Sequence, residues 1–210
     1  GAQGNRIGGN VVRGNSGAGV VVFGATTTGN AIRDNQIGPN GGLGIDLGDD
    51  GITIDDPGDP DAGPNGLQNA PVIASPARGA NMASMTLNLN SAPNSTFALQ
   101  VFWSLACDPA GRGEGENLLG SINLATAANS SGAIAAMFPL ADSTLANTLA
   151  ALATDPGNNT SEFSPCAAFP SLVFASGFET TPVAAQVGTP LPTGALAAAP
   201  FAAGARLVRV

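Results

Sequence analysis

The chain contains two successive patterns of hydrophobic and polar residues. Up to about residue 54, short clusters of valine and isoleucine are separated by glycine and asparagine, whereas from Pro71 apolar runs recur about every ten to twenty residues. Neither pattern has the roughly 3.6-residue period of an amphipathic helix, and β-branched clusters between turn formers are typical of strands. The sequence therefore predicts an all-β fold with two kinds of strand arrangement.

The first pattern is an internal repeat. Residues 5–29 (the first repeat) align with residues 30–54 (the second repeat) when the chain is shifted by 25 positions. Turn formers meet turn formers and aliphatics meet aliphatics at these pairs: Asn5 and Asn30, Asn10 and Asn35, Asn15 and Asn40, Gly17 and Gly42, Gly19 and Gly44, Ile7 and Ile32, Val12 and Ile37, Val20 and Ile45, Val22 and Leu47. Residues 1–54 are therefore predicted to be coils of a right-handed parallel β-helix, because a coil of short strands buries its aliphatics only against the next coil.

The matched asparagines fit the corners of such coils. Asparagine tolerates the left-handed backbone of a tight turn and can hydrogen-bond the equivalent asparagine of the next coil. Alternation predicts that Val21 and Asp46 point outward. The alternative is a low-complexity Gly/Asn segment without regular structure. Because a stable solenoid needs about three repeats, we expect these to be the terminal coils of a longer protein, with an edge at Asn5 open to further coils.

The second pattern, residues 71–167, predicts an immunoglobulin-like antiparallel β-sandwich. Seven apolar runs are the candidate strands, at 71–75, 83–89, 97–103, 118–125, 132–139, 147–154 and 160–164. Seven strands within about 100 residues are typical of this architecture. Alternation along 97–103 places Trp103 on the same face as Phe97 and Val101. We expect Trp103 to be a core residue, the alternative being a surface on which a sugar ring stacks.

Residues 55–70, between the two patterns, are predicted to be an acidic linker or cap rich in Gly and Pro. Seven aspartates lie here and at the end of the second repeat: Asp46, Asp49, Asp50, Asp55, Asp56, Asp59 and Asp61. Calcium takes about six to eight oxygen ligands from flexible loops, so these are candidate calcium ligands that would stiffen the junction. The alternative is a solvated linker whose aspartates cap turns. The segment lacks the final glutamate of an EF-hand loop. A pair of carboxylates could also catalyse glycosidic cleavage, but seven aspartates provide many such pairs by chance.

The two cysteines, Cys107 and Cys166, follow the third and seventh candidate strands. An even number of cysteines in an exported protein favours a disulfide bond. Closing a loop of about 60 residues would contribute roughly 4 kcal/mol in the chain-entropy description. Two free thiols in a cytosolic protein are the alternative.

Composition narrows the classes of function. The net charge is −8 and all seven basic residues are arginine, so neither nucleic acid nor an anionic membrane surface is an expected partner. Histidine and tyrosine are absent, which removes the usual general base of Ser/His and Cys/His enzymes and the commonest zinc ligand. Catalysis would have to use carboxylates, arginine or a bound metal, and no catalytic residue is predicted.

Four segments resemble bacterial exported right-handed parallel β-helix repeat proteins of the CSLREA-domain type: GIDLG at 44–48, DPGDPDAGPNGLQN at 56–69, CDPAGRGEGE at 107–116 and ATDPGNNTSEFS at 153–164. The resemblance covers about residues 5–166. It implies upstream coils, an Ig-like cap, and a secreted or cell-surface location in a Gram-negative bacterium. It implies no firm activity, because related β-helices include pectate lyases, other polysaccharide-active enzymes and adhesins. No catalytic position of those enzymes can be matched to a residue here.

Residues 168–210 are predicted to be a largely disordered tail. The stretch SLVFASGFE at 171–179 resembles a short Phe-Ala-Asp-Gly-Phe-Glu tag near the ends of exported proteins, with Ser176 in place of the aspartate. The sequence LPTG at 191–194 resembles a sortase signal that lacks its middle residue. The apolar run at 195–205 is shorter than the roughly 20 residues of a membrane span, so no span is expected.

Three functions fit these observations. The first is a non-catalytic structural or adhesion protein of the cell surface, in which the β-helix is a stalk. The second is the accessory C-terminal part of a polysaccharide-degrading lyase or glycoside hydrolase. The third is a calcium-dependent module that binds an extracellular polysaccharide or a cell-surface glycan through the acidic segment. We expect the first, in which this chain would not itself be an enzyme.

Overall fold

The computed structural model describes residues 1–79, 81–140 and 146–170, so the predictions for the 171–179 tag and the 180–210 tail lie outside the described residues. The predicted all-β class is confirmed. The described residues form one 3₁₀ turn, at Pro64–Leu67, and these strands: β1 (Arg6–Gly8), β2 (Val11–Val12), β3 (Val20–Val22), β4 (Ala31–Arg33), β5 (Gln36–Ile37), β6 (Ile45–Leu47), β7 (Val72–Arg78), β8 (Met82–Asn90), β9 (Thr96–Ser104), β10 (Asn117–Ala125), β11 (Ser131–Pro139), β12 (Thr148–Thr154) and β13 (Ala167–Ala168).

The two repeats pair with each other through parallel strands. β1 pairs with β4, β2 with β5 and β3 with β6. The strand partners are the residues that the sequence alignment placed together, such as Ile7 with Ile32 and Val20 with Ile45. Short strands of this kind cannot bury their aliphatic side chains alone, so each repeat depends on its neighbour for a core.

Three asparagine pairs reinforce this pairing. Each asparagine of the first repeat donates its Nδ2 to Oδ1 of the asparagine 25 residues later, at 2.7, 3.1 and 2.9 Å for Asn5–Asn30, Asn10–Asn35 and Asn15–Asn40. The same Oδ1 atoms also accept the backbone N–H of the first-repeat asparagine. All three pairs therefore donate in one direction, from the first repeat to the second.

Strands β7 to β13 form two antiparallel sheets, and the described residues between 72 and 168 are here called the two-sheet domain. One sheet has the strand order β10-β9-β12-β13 and the other β11-β8-β7. Their facing side chains make one core that includes Phe97, Leu99, Leu124 and Leu149. Trp103 is half-buried and packs against this core, on the face that alternation predicted.

The predicted strand at 160–164 is wrong. Among the described residues, only Thr160 forms a bridge there, with Thr154, and the seventh strand of the two-sheet domain is β13 instead. Serine hydroxyls replace part of the ladder, because Ser161 Oγ accepts from Ala153 N and Ser164 Oγ from Ala151 N, both at 3.0 Å. Side-chain bonds of this kind compete with regular strand pairing.

The four-stranded sheet is covered on both faces. Its outer face contributes Phe102, Ala150 and Leu152 to a second core, which also contains Phe163 and the inward aliphatics of the repeats: Val22, Ile32, Ile37, Ile45 and Leu47. Both cores belong to one compact unit, Gly1–Ser171. The repeats and the two-sheet domain are therefore joined by a shared hydrophobic core rather than by a linker alone.

The predicted disulfide bond between Cys107 and Cys166 is confirmed, with a Cα–Cα distance of 5.9 Å. It joins the segment after β9 to the segment before β13. The first segment contributes Glu114 to the site described next, and the second contributes Glu162 to that site and Phe163 to the second core.

Candidate functional site

The second repeat has an edge that faces the two-sheet domain, here called the inner edge. Five of its backbone N–H groups, in addition to that of Thr53 beyond β6, donate to side-chain oxygens from outside the repeats. The donors and acceptors are Asn30 to Asn65 Oδ1 (3.0 Å), Ile32 to Thr160 Oγ1 (2.9 Å), Asp34 to Gln100 Oε1 (3.0 Å), Asn40 to Glu114 Oε1 (3.0 Å) and Leu47 to Glu162 Oε1 (3.0 Å). A strand edge with free N–H groups is a template for further pairing, and these acceptors occupy it without adding another strand.

Glu162 is the most enclosed acid of this set, at 3 % exposure. Besides Leu47, its carboxylate accepts the backbone N–H of Thr53 at 3.0 Å and the Thr53 hydroxyl at 3.1 Å. Burial raises the pKa of Glu162 above its ordinary value, the nearby Asp46 adds to the rise, and the hydrogen bonds from Leu47 and Thr53 oppose it. Backbone donors rather than a cation therefore stabilise this carboxylate.

In two of the asparagine pairs, the second-repeat asparagine donates to an acceptor outside the repeats, either Glu114 or Asn65. Asn40 donates its Nδ2 to Glu114 Oε1 at 3.1 Å, and Asn30 donates its Nδ2 to Asn65 Oδ1 at 3.3 Å. Burial raises the pKa of Glu114, as Asp108 and Glu116 do to a lesser extent, while Asn40 lowers it. Gly38 lies against this carboxylate with φ of +112°, and a Cβ there would sit 2.6 Å from Glu114 Oε2. The position therefore requires glycine.

The apolar part of the inner edge is equally covered. Ile32 is 1 % exposed, and the Phe102 and Phe163 rings that close this core meet edge to face with centroids 5.4 Å apart.

The opposite edge of the pair of repeats, on the first repeat, is called here the outer edge, and its side chains are more exposed. Its aliphatic Ile7 is only half-buried, and the nearby Phe23 is 71 % exposed.

The seven aspartates predicted as calcium ligands occupy different environments. Asp46 accepts the backbone N–H groups of residues 49–51, and Asp55 accepts that of Ala70 at 2.7 Å. Asp46 is therefore buried rather than outward-pointing and solvated, because it caps the turn that follows β6. Asp49 and Asp50 are exposed.

The other three aspartates, Asp56, Asp59 and Asp61, come together. One carboxylate oxygen of each lies within 4.8 Å of the others. Asp59 Oδ2 accepts from Gln68 Nε2 at 2.7 Å and from the Ser91 hydroxyl. Burial raises the pKa of Asp59 to about 6, with smaller increases from Asp61 and Asp56, against the hydrogen bonds that lower it. We call Asp56, Asp59 and Asp61 the acidic triad.

A groove of about 700 Å³ lies beside the acidic triad. Its polar lining comes from Asp55, Asp56, Asn69, Asn88, Asn90, Asn129 and Ser131, and its apolar lining includes Val72, Leu89 and Ala133. Apolar surface among amide and carboxylate groups suits a hydroxyl-rich ligand with apolar ring faces. Sequence reasoning did not identify Asn88 or Asn129 because an outward-facing asparagine on a strand or turn is ordinary.

Sequence reasoning also did not assign a role to the acceptors of the inner edge. Four of the five lie in segments that carried the family resemblance: Asn65, Glu114, Thr160 and Glu162. An acid, amide or hydroxyl in a loop does not by itself indicate its partner, so the shared target of these residues was visible only in the fold.

The chain matches no known protein family, and no curated protein matches its sequence. Among the described residues, no helix is long and apolar enough to cross a membrane.

Proposed function

We propose that residues 1–54 are coils of a right-handed parallel β-helix, that the two-sheet domain is an Ig-like cap on them, and that the chain serves a non-catalytic structural role in a secreted or cell-surface protein. The observation that carries this proposal is the set of side-chain acceptors bound to the inner edge. The disulfide bond is compatible with an extracellular location. Membership of the exported β-helix family stays a prediction.

The physical basis of the proposed role is control of a strand edge. Solenoid repeats interact only with their neighbours, so the end of a stack needs a distinct element to keep it soluble. An uncovered edge would offer N–H groups and aliphatic side chains to another chain. In the two-sheet domain, Phe102, Leu152 and Phe163 pack against the aliphatic side chains of this edge. Side-chain oxygens of the same domain accept hydrogen bonds from its N–H groups. A stalk or adhesion protein built on such coils would depend on this closure.

A Leu152→Asp variant tests the role. It places a charge in the core between repeats and two-sheet domain, so we expect the inner edge to open and the chain to self-associate in sedimentation velocity. The single tryptophan, Trp103, packs against the other core, and its fluorescence reports whether the two-sheet domain is intact. Met137→Asp, at a position 64 % exposed, is the matched control and should remain monomeric.

If Leu152→Asp alters the Trp103 emission, the milder Phe163→Ala replaces it in the same experiment. A variant with an opened inner edge, shown by fast amide exchange at Ile32, that stays monomeric at all concentrations would contradict the capping role.

The groove beside the acidic triad supports a second candidate function, the binding of an extracellular polysaccharide. The side-chain amide of Asn88 makes no hydrogen bond within the described part of the chain, and Asn88 lines the groove together with the apolar Val72. We expect soluble glycans to bind there and an Asn88→Ala/Asn129→Ala variant to lose that binding in a glycan-array experiment. Asn123→Ala, an exposed asparagine on β10, is the control. Equal binding by all three proteins would rule the groove out.

A further inference from the structure

Strand β11 differs from the other edge strands of the two-sheet domain, which are β7, β10 and β13. β7 contains Pro76 and a break in its register with β8, β10 has a bulge between Leu118 and Gly120, and β13 is only two residues long. Prolines, bulges, charges and short length keep an edge strand from pairing with another chain. β11 pairs with β8 over nine residues without a bulge, has no charged side chain, and contains a proline only at its last position, Pro139.

The alternation of hydrogen bonds shows which residues of β11 face away from β8. At one end of the pair, Ser91 N donates to Ser130 O at 3.0 Å. At the other end, Leu140 N donates to Asn81 O at 2.9 Å. Opposite residues of an antiparallel pair alternate between exchanging hydrogen bonds with each other and directing these groups away. The even-numbered residues of β11 therefore bond to β8, and the odd-numbered residues direct their N–H and C=O groups to the open side.

The open side of β11 is limited at both ends. At its start, Ser131 N donates to Asn129 Oδ1 at 3.3 Å and Ser131 O accepts from Ala127 N at 2.9 Å. At its end, Pro139 has no N–H to donate. The residues between them have exposed side chains and, within the described part of the chain, no backbone hydrogen bond on this side, and they are here called the free edge of β11: Ala133, Ala135 and Met137.

The free edge of β11 is complementary to a second copy of itself. When two copies meet in antiparallel orientation with Ala135 facing Ala135, each Ala133 lies opposite the Met137 of the other copy. All three opposed pairs can then exchange both hydrogen bonds, and a small side chain lies opposite the long one. A shift by two residues would place Ser131 or Pro139 opposite a free residue, so hydrogen bonds would be lost. The alignment on Ala135 is therefore the one that uses every free group.

We propose that two copies of the chain pair through the free edge of β11, with a two-fold axis at Ala135, so that two three-stranded sheets become one sheet of six strands. A contact of this kind uses the same surface on both copies and closes at a dimer. No charged side chain lies on β11, so no like charges oppose each other across the axis. Ala133 also lines the groove, so the dimer would hold two grooves next to its interface. The proposal does not depend on the capping role.

Sedimentation equilibrium of the full chain, from micromolar to millimolar concentration, tests the dimer. We expect a monomer–dimer equilibrium. Ala135→Lys places lysine opposite lysine at the axis, and Ala135→Glu places glutamate opposite glutamate, so each should weaken dimerisation at least tenfold. An equimolar mixture of these two variants should dimerise again, because lysine then faces glutamate. Ala135→Thr, an uncharged change at the same exposed position, is the matched control and should dimerise like the original chain.

Amide exchange provides a second measurement, since the N–H groups of the free edge should become protected as the concentration of the original chain rises. Trp103 fluorescence verifies folding, and Met137→Asp replaces Ala135→Lys if that variant is not folded. Combining Ala135→Lys with Leu152→Asp separates the two kinds of association, because self-association through an opened inner edge should persist in the double variant.

An original chain that stays monomeric at all concentrations would overturn the proposal and would leave the free edge to a strand of a different protein. Equal dimerisation of Ala135→Lys and the original chain would also overturn it, as would an equal loss in Ala135→Lys and Ala135→Thr. A mixture of Ala135→Lys and Ala135→Glu that associates no better than either variant alone would overturn the placement of the axis at Ala135.

Discussion

The inner and outer edges of the two repeats differ although the repeats themselves are alike. Ile32 and Ile7 occupy equivalent positions and pair with each other, yet Ile32 is 1 % exposed while Ile7 is only half-buried. The difference comes from Phe102, Phe163 and their neighbours, which lie outside the repeats. One repeat can pack against the next, but the repeat at the end of a stack has no further repeat beside it. Its open edge is therefore covered by residues from outside the repeats.

The polar groups show the same contrast. The asparagines of the first repeat donate toward the second, and the second-repeat Asn30 and Asn40 donate onward to Asn65 and Glu114. The N–H groups of the inner edge therefore have hydrogen-bond acceptors on side chains outside the repeats. The outer edge has no such partners among the described residues.

The largest predicted difference between the edges comes from removing an aromatic ring. Phe163→Ala leaves a cavity in the core below the inner edge, and we expect it to lower the free energy of unfolding by about 3–5 kcal/mol. Phe23→Ala, near the outer edge, should change it by less than about 0.5 kcal/mol. Urea denaturation of both variants measures the difference. Similar losses in the two variants would contradict the contrast.

Removal of the disulfide bond should have the next largest effect. The bond ties the segment that carries Glu114 to the segment that carries Glu162. Cys107→Ser/Cys166→Ser is expected to lower the free energy of unfolding by about 2–4 kcal/mol. Amide exchange should accelerate at Asn40 and Leu47 before it accelerates in β2 of the outer edge. Faster exchange spread evenly over both repeats would show that the bond does not act through the inner edge.

A smaller effect on the free energy of unfolding is expected when a single methylene group is removed at equivalent positions of the two repeats. Ile32→Val removes one from the closed core and should cost about 0.5–1.5 kcal/mol. Ile7→Val makes the identical change at the outer edge and should cost only a few tenths of a kcal/mol, since the side chain is half-exposed. Chemical denaturation of this matched pair gives the difference. A larger loss from Ile7→Val would reverse the order of the two edges.

The smallest predicted effect is on pH dependence. The pKa of Glu162 is raised in the folded chain above its ordinary value of 4.5, mainly by burial. The folded state therefore binds the proton more tightly than the unfolded state, and stability falls as the pH rises from about 4.5 through the raised pKa. Glu162→Gln should flatten this fall when the free energy of unfolding is measured from pH 4 to 7. An unchanged slope would show that Glu162 is not the group responsible.

Much of the strand arrangement follows from sequence pattern alone. The partners of β1 to β6 could be predicted because equivalent residues recur at a fixed spacing and have matching chemistry. Most strands of the two-sheet domain follow from alternation. The segment at 160–164 was mistaken for a strand because its composition does not show that Ser161 and Ser164 bond the backbone of β12.

The junction could not be predicted from pattern. Alternation along β9 identifies one buried face, but Gln100 and Phe102 on the other face are buried as well, because the repeats cover them. Spacing along the chain also does not separate Asp46 and Asp55, which accept backbone N–H groups, from the acidic triad. Both distinctions depend on contacts between segments far apart in sequence.

Amide hydrogen exchange at Ile32 measures whether side-chain oxygens close the inner edge. We expect slow exchange of this N–H in the original chain and a selective loss of protection in Thr160→Val, which keeps the volume but removes the acceptor. The N–H of Gln36, which donates to the Asn10 carbonyl at 2.8 Å, should stay protected in both proteins. Equal protection of Ile32 with and without the Thr160 hydroxyl would show that this side chain does not close the inner edge.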